Sequence, residues 1–225
     1  MANNNQNEDP STLDNLNNGL TNVGRQIFVN KSAIYVAFGA LLVVAAATLC
    51  YIYFFRNPKN DRAWDAYNKV EMTATNDSVA AKEYKKVADE FGRTDAGKVA
   101  ALSAAQAYYS IGDYKTAAEY LQKFKTKDEV LEANAKVLLG DCYVNLKKYD
   151  DAIAAYNEAV RKAGGNPQIV PRVLLKEANV YDEQKKYGDA EKCYQTIKSD
   201  FPEFQLGNGV SIDAYIEREQ ARQGK

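Results

Sequence analysis

The chain has 225 residues, with 29 Lys and Arg against 30 Asp and Glu, which leaves a formal net charge of -1. This balance gives no electrostatic case for binding nucleic acid. The chain has no histidine, the side chain most used for acid–base catalysis near neutral pH and as a metal ligand, so Ser-His-Asp and Cys-His catalysis are excluded. Few Pro and Gly beside many Ala favour an all-α chain.

The first segment, residues 1–32, is polar and begins with a run rich in asparagine. Such a composition buries too little apolar surface to offset the entropy lost on ordering the chain, so we expect a disordered segment. A short amphipathic turn over residues 23–29 is expected at a membrane surface.

An apolar run without a charged residue follows at 33–55. Its 23 residues would span roughly 35 Å as a helix, which is enough to cross a bilayer core with some tilt. Tyr35 lies at one end and Tyr51 and Tyr53 at the other, where interfacial aromatic residues are found. Residues 33–55 are therefore predicted to form a transmembrane helix.

Cleavage of this helix is not expected. The apolar run is too long for a signal peptide and a polar stretch precedes it. Leu49 stands before Cys50, where a lipoprotein site needs a small residue. We predict an uncleaved signal anchor and, at 56–60, a short linker that contains Pro58. The other cysteines, Cys142 and Cys193, fit no zinc motif, and we expect all three cysteines to be small buried hydrophobes.

A repeated pattern covers residues 61–203. Tyr114, Tyr149 and Tyr187 each begin a copy of Tyr-x-x-Ala, and these copies lie 35 and 38 residues apart. Around them, small and aromatic residues recur at spacings that give a helical hairpin two apolar faces. One hairpin cannot bury its own apolar face, so consecutive hairpins must stack. The small residues are Ala105, Gly140 and Ala178, and the aromatic residues six positions before each repeated tyrosine are Tyr108, Tyr143 and Tyr181.

This pattern resembles the tetratricopeptide repeat, most completely between Leu139 and Ala159. A degenerate copy precedes the three good ones, with Trp64 and Tyr84 at corresponding positions. We therefore predict an all-α protein in which a single transmembrane helix is followed by an α-solenoid of about four helical hairpins. A capping helix and tail are expected at 204–225, with Ser211 as the N-cap.

The resemblance implies a groove lined by the first helix of each hairpin, in which an extended peptide or a partner helix binds. The polar residues predicted to line this groove come from three hairpins. They are Gln106, Tyr109, Asp141, Asn145, Arg172, Lys176, Asn179 and Asp182.

Two other kinds of site have less support. One subfamily of these repeats clamps a peptide's terminal carboxylate, and Arg172 and Lys176 stand where its basic pair would be. However, Leu102 and Leu138 occupy positions where that clamp needs polar side chains. No Gly-rich phosphate loop, nucleophile elbow or metal-ligand spacing is present. We expect a binding protein and no enzyme, with no catalytic residue, metal, cofactor or small-molecule substrate.

The order of anchor, linker and repeat array resembles the YfgM-like family of bacterial inner-membrane proteins. This resemblance implies a single-pass protein of the inner (cytoplasmic) membrane with a periplasmic repeat domain. It also implies an accessory role near the Sec translocon or periplasmic chaperones in handling exported proteins. The flanking charges mildly favour the opposite orientation, because Arg56, Lys59 and Arg62 follow the helix whereas Arg25 and Lys31 precede it. A cytoplasm-facing membrane adaptor that recruits a soluble partner is the alternative.

Overall fold

A computed structural model describes residues 31–207 and 209–224, with side chains from residue 34 onward. All regular structure within these ranges is helical. The predictions for residues 1–30, including the amphipathic turn at 23–29, lie outside the described residues. The helices are α1, Lys31–Tyr51; a π-helical segment, Ile52–Arg56; α2, Asn57–Thr73; α3, Asp77–Phe91; α4, Asp95–Ser110; α5, Tyr114–Lys123; α6, Glu129–Asn145; α7, Tyr149–Ala163; α8, Val170–Glu183; α9, Tyr187–Asp200; and α10, Ile212–Arg222.

The chain divides into two compact units, Met1–Asn57 and Pro58–Lys225. In the first unit, α1 exposes consecutive large apolar side chains on all its faces, with relative exposures of 73% for Tyr35, 61% for Phe38 and 65% for Leu41. One helical stretch among the described residues, which begins at Ile34, is long and apolar enough to cross a membrane, with a mean hydropathy of 2.2. A helix that is apolar on all faces and uncovered by protein is typical of a membrane span.

The structure differs from the predicted linker, because residues 56–60 are helical. Arg56 ends the π-helical segment, and the N–H of Asn57 bonds the carbonyl of Ile52, five residues earlier. Pro58 lies in the first turn of α2. A proline ring inside a regular α-helix meets the carbonyl four residues before it, and the wider π turn relieves this contact. A proline that predicted a break is therefore accommodated within helix.

The second unit is a series of helical hairpins, α2–α3, α4–α5, α6–α7 and α8–α9, followed by α10. Most of these helices have an N-cap residue whose side chain accepts a hydrogen bond from a backbone N–H of the first turn. This bond satisfies a donor that the helix itself leaves unpaired. The predicted fold class is confirmed, and Ser211 caps α10 as predicted. The capping residues are Asn76, Thr94, Asp113, Asp128 and Ser211.

The turns inside the last three hairpins share one backbone geometry. Gly112, Lys147 and Lys185 occupy the same repeat position and have positive φ angles of 83°, 58° and 58°. The N–H of the following residue bonds the carbonyl five residues earlier, which is the Schellman arrangement that ends helices. These bonds join Asp113 to Tyr108 at 2.9 Å, Lys148 to Tyr143 at 2.8 Å, and Lys186 to Tyr181 at 2.8 Å. Each repeated tyrosine therefore begins the second helix of its hairpin.

Within a hairpin, an aromatic ring on the second helix packs against a small residue on the first. The side chain of Tyr156 is 2% exposed, and its ring lies against Gly140. A Cβ atom added to Gly140 would lie 2.3 Å from Cε1 of Tyr156. In the next hairpin, the fully buried Tyr194 shares a core cluster with Ala178. The small position of the repeat and the position seven residues after the repeated tyrosine, which carries Tyr156 and Tyr194, are therefore contacts between the two helices.

The three cysteines lie in different surroundings. Cys142 and Cys193 are free thiols in separate core clusters, as expected for small buried hydrophobes. Burial raises the pKa of each thiol to about 12. Cys50 differs from the expectation, because α1 leaves it exposed.

Replacing Gly140 with Ala should destabilise the protein by about 1–3 kcal/mol, because the new methyl group forces the buried Tyr156 ring to move. Gly140→Leu should cost more. The measurement is thermal unfolding of the full chain in uncharged detergent micelles, followed by circular dichroism. The matched control is Gly188→Ala in α9, where the nearest atom to an added Cβ is the flexible Gln223 Oε1 at 3.4 Å. Equal stability of the Gly140 and Gly188 variants would contradict the predicted contact.

Candidate functional site

A cleft of about 460 Å³ crosses the first helices of the last three hairpins, α4, α6 and α8. We call it the inner cleft. Its wall also includes one residue of α7, the tyrosine that packs on Gly140. The lining residues are Tyr109, Asp141, Val144, Asn145, Tyr156, Lys176, Asn179, Val180, Asp182 and Glu183.

The inner cleft contains most of the predicted groove residues but not all of them. Gln106 lines a separate cleft between α2, α3 and α4 because it is one turn before Tyr109 and faces the preceding hairpin. Arg172, near the start of α8, lines another cleft with the loop at Pro202. The six predicted residues that the structure brings together are Tyr109, Asp141, Asn145, Lys176, Asn179 and Asp182.

Asp141 is the centre of the hydrogen bonds in the inner cleft. Lys176 Nζ lies 2.8 Å from its Oδ1 and 3.0 Å from its Oδ2. The hydroxyl of Tyr156 donates to Oδ1 at 2.7 Å. Burial, followed by the hydrogen bond to Asp141, raises the pKa of Tyr156, so this hydroxyl remains a donor. The ring that packs on Gly140 thus also holds the carboxylate of Asp141 in place.

The hydrogen bonds continue from Asp141 towards α4. The side-chain amide of Asn145 donates to the backbone carbonyl of Asp141 at 2.8 Å and approaches the hydroxyl of Tyr109 at 3.4 Å. Burial, followed by the negative charge of Asp141, raises the pKa of Tyr109. These contacts link side chains of α4 and α6, so two successive hairpins form one polar surface.

Asp182 is held by two arginines of α10. Nη1 of Arg222 contacts Oδ1 of Asp182, and Nη2 of Arg218 lies 3.6 Å from Oδ2. Arg218 also lies 2.6 Å from Oε1 of Glu219, whose side chain is fully buried. Arg218 and Arg222 are absent from the predicted groove, although their spacing of four residues places them on one face of α10.

These ion pairs leave the inner cleft with mainly hydrogen-bonding groups for a ligand. Asp141 and Lys176 neutralise each other, and the arginines neutralise Asp182. The side chains of Asn179 and Glu183 are exposed and make no hydrogen bond or ion pair with other residues in the described part of the chain. A side-chain amide both donates and accepts, as a peptide backbone does. Within the described ranges, no three His, Cys, Asp or Glu side chains come together as metal ligands would.

The arrangement does not provide a carboxylate clamp. Lys176 is ion-paired with Asp141, and Arg172 lies outside the inner cleft. Leu102, at a position where the clamp needs a polar side chain, is buried in the core. A terminal carboxylate would therefore meet Lys176 only by displacing Asp141.

A buried acid, Glu177, supports α8 behind the inner cleft. Its side chain is 5% exposed and accepts a hydrogen bond from Asn157 Nδ2 of α7 at 3.3 Å. Burial raises its pKa above the ordinary value of 4.5. The native state therefore favours the protonated form more than the unfolded chain does.

Glu177→Gln should stabilise the protein at neutral pH. Because the native pKa of Glu177 is raised, its contribution to stability is largest below about pH 4.5 and is lost as the pH rises through the native pKa. The glutamine variant should therefore be more stable than the wild type at pH 7, and the difference should narrow towards pH 4. The measurement is the free energy of unfolding against pH.

Glu158→Gln is the matched control with the opposite sign. Lys136 lies 2.9 Å from Glu158 and lowers its pKa. The contribution of Glu158 is present above pH 4.5 and is lost as the pH falls through its lowered pKa. This variant should be less stable than the wild type at pH 7 and equal to it in acid. The same pH trend in both variants would contradict the assignment.

Comparison with known proteins identifies the repeat. Residues 102–167 and residues 172–203 match two family models that are both described as tetratricopeptide repeat. The matches begin within α4, so the degenerate hairpin α2–α3 lies outside them. The predicted repeat type is confirmed, and tetratricopeptide repeats are protein-interaction scaffolds.

Solved structures share the fold at low sequence identity. The structure of the MamA protein is 20% identical over 74% of this chain and 88% of that chain, with a TM-score of 0.53. BtubC from P. vanneervenii is 14% identical over 74% of this chain and 84% of that chain, with a TM-score of 0.52. No curated protein matches the chain. At these identities, the likeness establishes the architecture alone.

Proposed function

We propose that this protein is a membrane-anchored scaffold that binds a protein partner through the inner cleft. The observation that carries the proposal is the convergence of six polar side chains in one cleft of a protein-binding repeat. These side chains come from three consecutive hairpins, so a ligand that contacts all of them must be elongated. We assign binding roles to Tyr109, Asp141, Asn145, Lys176, Asn179 and Asp182, and none to Gln106 or Arg172.

An extended peptide segment is the ligand that fits this cleft. Two positions of the repeat, eight and four residues before the repeated tyrosine, carry Asp141 and Asn145 in one hairpin and Asn179 and Glu183 in the next, and all four line the inner cleft. Because stacked repeats present equivalent positions at regular intervals, these side chains form a row of hydrogen-bonding groups. An extended backbone offers donors and acceptors at regular intervals as well.

We assign residues 33–55 to a membrane anchor, 61–203 to the repeat array and 204–225 to the capping helix and tail. The anchor is supported by the exposure of apolar side chains on all faces of α1. Covering these side chains with lipid removes the contact with water that makes such a surface unfavourable.

The resemblance to the YfgM-like family supports a more specific role. We propose that the anchor lies in a bacterial inner membrane, with the repeat array in the periplasm. There it would bind components of the Sec translocon or periplasmic chaperones and assist in handling exported proteins. The alternative, a cytoplasm-facing adaptor, is favoured by the charges that follow the anchor, Arg56, Lys59 and Arg62.

The orientation is tested with a membrane-impermeant maleimide on intact spheroplasts. Cys142 and Cys193 are buried and Cys50 lies in the apolar helix, so the wild type should not react and serves as the control. Lys115 is exposed on α5, and Lys115→Cys should therefore be labelled in intact spheroplasts. Labelling only after lysis would establish the cytoplasm-facing alternative.

Partner binding is tested with a photo-reactive amino acid placed at position 179 in the inner cleft and, as a control, at the exposed position 82. Position 179 should give a discrete crosslinked product in membranes, and position 82 should not. Adding Asn145→Ala and Glu183→Ala should reduce this product about tenfold, the effect expected for two lost hydrogen bonds.

The matched control for these substitutions is Lys82→Ala with Lys115→Ala, which changes two exposed residues outside the inner cleft. It should leave the crosslink from position 179 unchanged. An equal crosslink after both pairs of substitutions would place partner binding on another surface.

A further inference from the structure

A second cleft, of about 530 Å³, lies between α3, α4 and α5. We call it the lysine cleft, because four lysines, Lys85, Lys98, Lys123 and Lys125, contribute to its wall. It shares no residue with the inner cleft. The other lining residues are Ala88, Asp89, Gly92, Gly97, Ala101, Glu119, Tyr120 and Phe124.

The lysine cleft is open because α5 is short. This helix has 10 residues, whereas the second helices of the neighbouring hairpins, α3 and α7, have 15 each. After Lys123 the backbone becomes extended at Phe124, with φ −68° and ψ 128°. The helical turn that would cover the end of α3 and the start of α4 is therefore missing. The lysine cleft is the space that this missing turn leaves uncovered.

The floor of the lysine cleft consists of small residues packed close to the backbone. Gly97 of α4 lies so close to the end of α3 that a Cβ atom would come within 1.9 Å of the carbonyl oxygen of Phe91. Ala88 and Ala101 add only methyl groups beside it. Gly97 lets the end of α3 and the start of α4 approach each other, and because Ala88 and Ala101 are small, a segment from another protein can approach the backbone of α3 and α4.

The lysines of the cleft outnumber its acids, and two of them form no ion pair, although the charge of Lys123 also acts on Asp89. Lys85 pairs with Asp89 at 2.5 Å, and Lys98 lies 3.7 Å from Asp95. Lys123 and Lys125 lie at the end of α5, which we call the open side of the cleft. Both are exposed and make no ion pair with any residue in the ranges the structure describes.

The acids of the cleft do not change this balance. The carboxylate of Asp89 is paired with Lys85 and also accepts a hydrogen bond from the hydroxyl of Tyr120 at 2.9 Å. Glu119 also lines the cleft, but it is one acid against two unpaired lysines. The open side therefore carries a net positive charge.

We infer that the lysine cleft docks an acidic helical segment of a partner protein. A single helical turn would take the place of the missing turn of α5, with its small face on Ala88 and Ala101. Carboxylates on its outer face would pair with Lys123 and Lys125. A lipid bilayer fits less well, because the small residues lie in a recess between helices and a flat surface does not reach them. This surface is independent of the inner cleft.

The test uses the full chain in uncharged detergent micelles and a fluorescein-labelled helical peptide of alanine and glutamate, with glutamates one turn apart. Fluorescence anisotropy should show saturable binding that weakens with salt, whereas the peptide with glutamine in place of glutamate should not bind. Lys123→Glu with Lys125→Glu should raise the dissociation constant about tenfold or more.

The control variant, Lys82→Glu with Lys115→Glu, has the same change in charge on exposed positions of α3 and α5 outside the cleft. It should bind the peptide nearly as tightly as the wild type. A third variant, Ala101→Met, fills the partly exposed floor without changing the charge and should also weaken binding. Circular dichroism establishes that each variant is folded.

Three results would overturn the inference. The first is equal weakening by both pairs of glutamate substitutions, which would mean attraction to overall charge. The second is an Ala101→Met variant that is folded and binds like the wild type. The third is loss of peptide binding when phosphatidylglycerol is added to the micelles, which would make anionic lipid the occupant. None of these results depends on the inner cleft, so the proposed function is tested separately.

Discussion

The close contact between the two helices of a hairpin is the constraint on which the rest of the structure depends. In α6–α7, the absence of a side chain at Gly140 lets the ring of Tyr156 lie directly on the backbone of α6. The hydroxyl of the same tyrosine reaches the neighbouring residue, Asp141, and fixes its carboxylate in the inner cleft. Packing and the proposed binding site are therefore coupled at this point, since a shift of the Tyr156 ring changes both the hairpin contact and the centre of the cleft.

The repeat period is enough to predict the hairpins because it reflects contacts that recur in each copy. Small residues oppose aromatic ones in the last two hairpins, and the turns before Tyr149 and Tyr187 have the same hydrogen bonds. The same register places Tyr109, Asp141 and Asn179 on the first helices, so most of one cleft follows from sequence. The apolar run at 33–55 can be predicted from sequence as well, because length and composition alone decide whether a helix can cross a bilayer.

Contacts between hairpins are less predictable, since they depend on how one hairpin is rotated against the next. No spacing within a repeat indicates that Lys176 pairs with Asp141, or that Arg222 of α10 reaches Asp182. Gln106 and Arg172 show the same limit. Each has the helical position of a groove residue. However, Gln106 lines the cleft between α2, α3 and α4, and Arg172 lies too near the start of α8 to line the inner cleft. The helical residues 56–60 show another limit, because a π turn compensates for a proline that normally ends a helix.

The two clefts differ in how they can select a partner, and the difference follows from helix length and internal pairing. In the inner cleft, the first helices run side by side, and Asp141, Lys176 and Asp182 have partners of opposite sign, whereas Glu183 has none among the described residues. Removing one member of such a pair leaves the other uncompensated, so a ligand gains more from hydrogen bonds to the remaining amides than from competing for Asp141. In the lysine cleft, the short α5 leaves the recess uncovered, and Lys123 and Lys125 remain available to a ligand. One repeat architecture thus presents a largely ion-paired, hydrogen-bonding surface on its first helices and a positively charged recess where a second helix ends early.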